Sequence, residues 1–396
     1  MALAAWARLA NVARMESSRH SPLTYALAGL VALSLAMGLG RFVYTPILPS
    51  MMEELGLSAS DAGLIASSNF AGYLLGAVLA SLVGGQGRER LIGMSALIAN
   101  AILLAAMALS ESVHAFLVIR FFAGMASAFV LIFLITLVMR HLVAAGRGEL
   151  QNVYFSGVGI GIASSSLLIG WLASTHAGWQ AGWIWTSIVA FVGAAIVFAL
   201  VDEPHGSRSV PAERALPMTP DMVRIIVAYG FSGFGYVVTA TFLIAIVRQG
   251  EAGTSAETLV WTVTGIAAAI SVWFWNRIAR RSGKANAFAG ACAFQAVGVA
   301  ASVAVGGVAG PLIGGALLGL TFMATTALGF QIAHELATGA QRRAVALLTV
   351  SFGIGQILGP LIAGFVADRT GSFTAPSMLA AGVLIAAAII ARGIRS

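Results

Sequence analysis

A chain of 396 residues with 59% hydrophobic positions, 9% charged positions and a mean hydropathy of +0.92 lies outside the range of ordinary soluble domains. The single cysteine, Cys292, lies inside an apolar run, so an intrachain disulfide and a cysteine cluster for metal are both excluded. The net charge of +7 would suggest nucleic acid if it were clustered on a polar surface, but its distribution argues against that partner.

The first twenty residues lack a continuous apolar core followed by a cleavage site, and Arg8, Arg14 and Arg19 interrupt them. Leu3, Trp6, Leu9 and Val12 recur every third residue, which fits an amphipathic surface helix. An unstructured tail, or initiation at Met15, fits the same residues. Twelve apolar stretches follow, at 25–48, 61–83, 91–109, 113–139, 150–174, 181–201, 222–247, 256–279, 285–305, 309–335, 343–367 and 373–392. A helix needs roughly 20 apolar residues to cross a bilayer core of about 30 Å, and these runs are too long for barrel strands. The 46 glycines let helices in such a bundle approach closely.

The longest polar connection, Asp202 to Asp221, carries Pro204, Pro211, Pro217 and Pro220 and reads as a linker. The expected organisation is a tail over 1–24, a six-helix bundle over 25–201, a linker over 202–221, and a second six-helix bundle with a short tail over 222–396. Arg41, Arg120, Arg248 and Arg369 aside, the 22 Lys+Arg residues all fall on one side of this arrangement. That bias places both termini in the cytoplasm. The two halves echo each other. Gly38-x-Gly40 of the first span matches Gly233-x-Gly235 of the seventh. At nearly the same offset, Gly159, Gly161, Leu167, Gly170 and Ala173 of the fifth match Gly353, Gly355, Leu361, Gly364 and Ala367 of the eleventh. Six helices repeated in parallel orientation is the plan of carriers that rock two bundles about a central site.

Several short motifs fall at telling places. Between spans two and three lies Gly84-Gly85-Gln86-Gly87-Arg88-Glu89-Arg90, and between eight and nine Arg280-Arg281-Ser282-Gly283-Lys284. Span four has Arg120-x-x-x-Gly124, and span eleven has Gly355-x-x-x-Gly359-Pro360-x-x-Ala363-Gly364. From residue 25 onward the chain resembles the major facilitator superfamily. In that family the two loops carry a Gly-x-x-x-Asp-Arg-x-Gly-Arg-Arg pattern, here degenerate and without its aspartate. The eleventh-span motif looks like the family's fifth-helix antiporter motif displaced into the other half. The resemblance gives Arg88, Arg90, Arg281, Gly283, Gly359 and Pro360 gating or conformational roles. Gly38-Leu39-Gly40-Arg41-Phe42-Val43-Tyr44-Thr45-Pro46 and Gly233-Phe234-Gly235-Tyr236-Val237-Val238-Thr239-Ala240-Thr241-Phe242-Leu243 are similar to the YbfB/YjiJ-type branch. The resemblance implies an all-α membrane protein of 12 transmembrane helices in a bacterial inner membrane, with proton coupling as the family default.

Two arginines lie within spans, Arg41 in the first and Arg120 in the fourth, and no Asp or Glu occupies any span's middle third. An arginine in a bilayer core costs at least about 2.5–3.5 kcal/mol and faces a partner or a wet cavity. Uncompensated guanidinium charge suits a carboxylate, phosphate or sulfonate. The competing reading is structural, with bonds to helix carbonyls or to Glu53, Glu54 or Asp61. Helical spacing puts Tyr44 and Thr45 on the Arg41 face. The repeat sets Tyr236 opposite Arg41 and Thr239 opposite Tyr44. Thr321, Thr325 and Thr326 add hydroxyls from span ten, although a mid-helix threonine often bonds its own helix. Asn69, Tyr73, Tyr154 and Gln356 serve equally as substrate contacts or as interhelical bonds. Trp171, Trp179, Trp183 and Trp185 read as interfacial anchors. His334 and Glu335 fit a solvated or gate-forming pair better than a proton relay.

No phosphate-binding loop or catalytic signature is present, so no cofactor, metal or enzymatic activity is expected. The expected function is secondary active transport of a small organic anion by alternating access, with substrate-borne proton symport, exchange and facilitated diffusion all open, in a monomer whose partners are the substrate, the lipid bilayer and, in the first case, protons. Drug or metabolite efflux, and a non-transporting sensor or scaffold, are the alternatives.

Overall fold

The structure is a computed structural model that describes residues 20–83, 87–202, 215–250 and 253–394. The amphipathic pattern of the tail, the loop residues Gly84, Gly85 and Gln86, and the linker prolines Pro204 and Pro211 lie outside the described residues.

Twelve helices are long and apolar enough to span a membrane. In the first half they are α1 (Pro22–Leu55), α2 (Ala59–Val83), α3 (Glu89–Met107), α4 (Val113–Ala144), α5 (Gln151–Ser174) and α6 (Trp179–Leu200). In the second half they are α7 (Pro220–Gln249), α8 (Thr254–Ser282), α9 (Lys284–Ala304), α10 (Ala309–Leu336), α11 (Gln341–Thr370) and α12 (Thr374–Arg392). Several overrun the expected spans; α1 reaches Leu55 in segments, Pro22–Leu33, Ser34–Leu39 and Tyr44–Leu55, the last with Pro49 inside it.

The two halves open in the same way. Ser21 caps α1 by accepting from Thr24 N, and Thr219 caps α7 by accepting from Met222 N, each followed by proline at the first helical position. Glycines then bring the matched helices together. A Cβ on Gly38 would collide with Gly161 of α5, and one on Gly355 of α11 with the carbonyl of Gly230 in α7.

The bundles meet along α2–α11, α5–α8 and α1–α7. At α5–α8, a Cβ on either Gly159 or Gly265 would collide with the other helix's backbone. Hydrogen bonds cross the interface in the halves of the helices remote from the chain ends. Ser67 Oγ donates to Ile357 O (2.7 Å) and Ser166 Oγ to Thr258 O (2.8 Å). Asp368 of α11 accepts from the first free amides of α2, Ala59 N (2.9 Å) and Ser60 N (2.8 Å), so a carboxylate of one bundle caps a helix of the other. Glu53 and Arg248, also from opposite bundles, pair at 2.7 Å, and Arg248 forks onto Glu257 as well.

The tryptophan expectation needs correction. Trp171 and Trp185 are exposed and meet edge to face at 6.2 Å, as anchors should. Trp179 and Trp183 are buried, the first against Phe116 and the second against Tyr44. α6 turns that face inward, and sequence position near a helix end does not distinguish the two orientations.

Candidate functional site

The site is built on a break in α1. Pro46 has no N–H for the carbonyl of Phe42, and Thr45 N takes that carbonyl instead at 3.2 Å. Upstream, Gly40 N and Phe42 N reach back five residues, to Leu35 O (2.7 Å) and Met37 O (3.0 Å), and Ser34–Leu39 forms a π-turn. Among the described residues, no backbone amide reaches the carbonyls of Gly40 or Arg41. In lipid each orphaned carbonyl costs several kcal/mol unless another group serves it.

Arg120 of α4 supplies the missing donors. Its Nη1 donates to Gly40 O (3.0 Å) and its Nη2 to Arg41 O (3.1 Å). It is itself held from behind, because Asn69 of α2 donates Nδ2 to Arg120 O at 2.8 Å. Gly124 permits this arrangement, since a Cβ there would collide with the Asn69 carbonyl and drive α2 from α4. The Arg-x-x-x-Gly spacing therefore has a mechanical meaning. Its arginine closes the break in α1 and its glycine lets α2 come near enough to lock it. The structural alternative expected for Arg120 is the one its contacts follow.

Arg41 is the opposite case. It is only 5% exposed, yet Nε and Nη2 have no hydrogen-bond partner, and Nη1 meets only the Met37 sulfur at 3.8 Å. Two rings flank its guanidinium, Phe70 at 4.5 Å and Tyr73 at 4.3 Å to the centroids. No carboxylate pairs with either arginine among the described residues. Glu53 is bound to Arg248, and Asp61 accepts from Ser58 in a capping box at the start of α2.

Both guanidiniums open on one cavity of about 10 Å³, room for roughly one water. Its walls are Arg41, Phe42, Tyr44, Thr45, Ala66, Phe70, Arg120, Ala240 and Thr241. Two of the wall hydroxyls are already engaged. Tyr44 donates to Ala62 O (3.0 Å), and Thr45 donates across the bundle interface to Ala240 O (2.6 Å). Thr241 makes no hydrogen bond among the described residues and is the free hydroxyl of the wall. An adjoining crevice, too tight for a water, shares Phe42 and Ala240 and adds Tyr236, Trp261, Thr264 and Phe322. There Tyr236 stacks between Phe322 (5.7 Å) and Phe352 (5.5 Å), and its hydroxyl meets Gln356 Nε2.

The sequence-derived residues therefore divide. Arg41, Tyr44, Thr45 and Arg120 line one cavity, Tyr73 flanks Arg41, and Tyr236 with Gln356 stands at the neighbouring cavity. Thr239 is buried without a partner but lines neither cavity. The repeat set Tyr236 and Thr239 against Arg41 and Tyr44, whereas the residues of α7 that face the first cavity are Ala240 and Thr241, the counterparts of Thr45 and Pro46 at the same offset. Asn69 is an interhelical tie. Thr325 donates to Phe322 O of its own helix (2.9 Å), and Tyr154 packs within the first bundle beside Gly29, so neither lines a cavity. Phe70, Phe42, Phe322, Phe352, Trp183 and Thr241 were not foreseen around the site. In apolar helices an inward aromatic reads the same as a lipid-facing one.

The residues given gating roles lie apart from the cavity. Arg90 ties α3 to the end of α6 through Val201 O (2.6 Å) and Phe198 O (2.7 Å), and Arg88 is exposed. Arg281 is exposed, and Gly283 holds φ +84° in the turn between α8 and α9, where a side chain would be strained. Gly359 packs on Val237 of α7, and the Pro360 carbonyl occupies the space a Cβ on Gly63 of α2 would need, placing both at inter-helix contacts.

Twelve apolar helices in paired bundles, with buried positive charge between them, define a polytopic membrane transporter and not an enzyme. The chain belongs to the major facilitator superfamily, and residues 33–392 match the family described as "Uncharacterised MFS-type transporter YbfB". A protein of Agrobacterium vitis provisionally named a tartrate transporter is 22% identical over 86% of this chain and 83% of its own length. The hexuronate transporter of Bacillus subtilis is 24% identical over 86% of this chain and 87% of its own. The chloramphenicol resistance protein of Streptomyces lividans is 26% identical, covering 90% and 92%. A mutant form of the nucleoside transporter NupG has the same fold, with a TM-score of 0.79 at 14% identity, over 94% of this chain and 100% of that one.

Proposed function

We propose that the protein carries a small organic anion across the bacterial inner membrane by alternating access, with Arg41 as the group that binds it. The observation that carries this reading is the Nε and Nη2 pair of Arg41, buried and without a partner beside a cavity. These two nitrogens form one side of the guanidinium fork, the geometry that takes a carboxylate through two parallel bonds. Relatives named for tartrate and hexuronate transport support the anion class.

The cationic bias of the loops sets both termini in the cytoplasm. The interface ties through Asp368, Glu53 and Arg248 then hold the outer end closed. Substrate binding neutralises Arg41 and lets the bundles rock. None of the side chains lining the two cavities is a carboxylate, so in a proton-coupled cycle the substrate's own carboxyl is the group that carries the proton.

A second reading, export of neutral apolar compounds, is favoured by the aromatic lining and by the relative named for chloramphenicol resistance. It leaves the free side of Arg41 without a role. Counterflow in proteoliposomes separates the two. Saturable anion exchange that vanishes in Arg41→Gln is the expected result. Exchange of neutral compounds alone, unchanged by that substitution, would overturn the anion reading.

A further inference from the structure

We propose that the preferred ligand is a monocarboxylate with a flat, unsaturated or aromatic body, bound through the Nε–Nη2 side of Arg41. This rests on Arg41 being the anion-binding group and adds what its surroundings select. Charge is the first selector. Of the two guanidiniums at the cavity, Arg120 has both Nη groups engaged by the broken helix and only Nε unpartnered, whereas Arg41 keeps the adjacent Nε and Nη2 both unpartnered as a fork. A second carboxylate on the ligand would find no second two-nitrogen fork in the pocket, and burying it with its hydrogen bonds unmade is unfavourable.

Polarity is the second selector. Tyr44 and Thr45 already donate to main-chain carbonyls, so the walls offer Thr241 as the one uncommitted hydroxyl. The hydroxyls of a sugar acid would face ring carbons instead of partners.

Shape is the third selector. A carboxylate held by both nitrogens lies in the plane of the guanidinium, and a conjugated body continues in that plane. Rings bound that space. Phe70 and Tyr73 flank the guanidinium, and Phe42 meets Phe322 edge to face at 5.7 Å where the two cavities adjoin. The cavity as it stands admits about one water, so a ligand must part Phe42 from Phe322. An aromatic ligand replaces the ring contact it breaks with others of the same kind, which a polar body cannot do.

The test uses the full chain in lipid nanodiscs and measures affinity by thermal shift and competition for benzoate, cyclohexanecarboxylate, terephthalate, galacturonate and benzamide. Benzoate is expected to bind at least about ten-fold more tightly than terephthalate, galacturonate or cyclohexanecarboxylate, with benzamide inert. Phe70→Leu should weaken benzoate about ten-fold. Arg41→Gln should remove binding, and Arg41→Lys, which keeps the charge but not the fork, should lose most of it and covers the case in which the glutamine variant does not fold. If terephthalate, galacturonate or cyclohexanecarboxylate equals benzoate and still depends on Arg41, the flat-monocarboxylate proposal fails and the anion site stands. If no carboxylate binds, or binding survives both substitutions, the anion site fails with it.

Discussion

The first and seventh helices are the same element in the two halves, yet one is broken and the other runs unbroken from Pro220 to Gln249. Thr45 bonds the carbonyl of Ala240, its counterpart 195 residues later, and Glu53 pairs with Arg248 at the same separation. The axis of the repeat therefore runs between these helices, and their differences can be compared position by position. Where α1 has Pro46, α7 has Thr241, which has an N–H and keeps the helix intact. Where α1 has Arg41, α7 has Tyr236. The proline opens the helix, the freed carbonyls hold Arg120, and Arg41 is left with an open fork. The two matched helices thus set a cationic wall against an aromatic one.

The comparison breaks most severely at Arg120. Arg120→Leu removes two charge-assisted bonds and leaves the Gly40 and Arg41 carbonyls bare in an apolar interior. A loss of about 3 kcal/mol is expected, read as a lower unfolding midpoint of the purified protein. Arg41→Gln tests the other arginine. Because the hydrogen bonding of Arg41 is limited to the Met37 sulfur at 3.8 Å, the midpoint should stay close to wild type while saturable anion flux falls about 100-fold, the scale of losing a buried charge pair.

Most of the fold and little of the site's wiring could be read in the sequence. Twelve spans, the six-plus-six plan and the internal repeat follow from hydropathy and glycine spacing, since lipid imposes both. Arg41 and Arg120 stand out because charge in a span is costly. Their division of labour is invisible there, because it depends on which carbonyls Pro46 frees and on where α4 passes α1. The aromatic walls are hidden too. Phe70 and Phe322 sit in apolar runs beside phenylalanines such as Phe294, which is exposed.

Two further substitutions sharpen the contrast. Pro46→Ala gives α1 the donor that α7 already has. The segment from Gly40 to Thr45 should then exchange its amide hydrogens more slowly, while anion flux falls about ten-fold as the arginines lose their arrangement. The smallest effect is expected at the outer closure. Asp368→Ala uncaps α2 across the bundle interface, at about 1 kcal/mol. That shifts the balance of inward and outward forms roughly five-fold, visible as a longer-distance population between spin labels at Glu111 and Thr374.

The most direct measurement follows the two guanidiniums themselves. In protein carrying nitrogen-15 arginine, with the Arg41 signal assigned through Arg41→Lys, a saturating carboxylate should shift the Arg41 Nε–H resonance downfield and slow its exchange with water. The Arg120 Nε–H should remain where it is. Movement of the Arg120 signal with Arg41 unchanged would contradict the assignment of anion binding to one arginine and helix repair to the other.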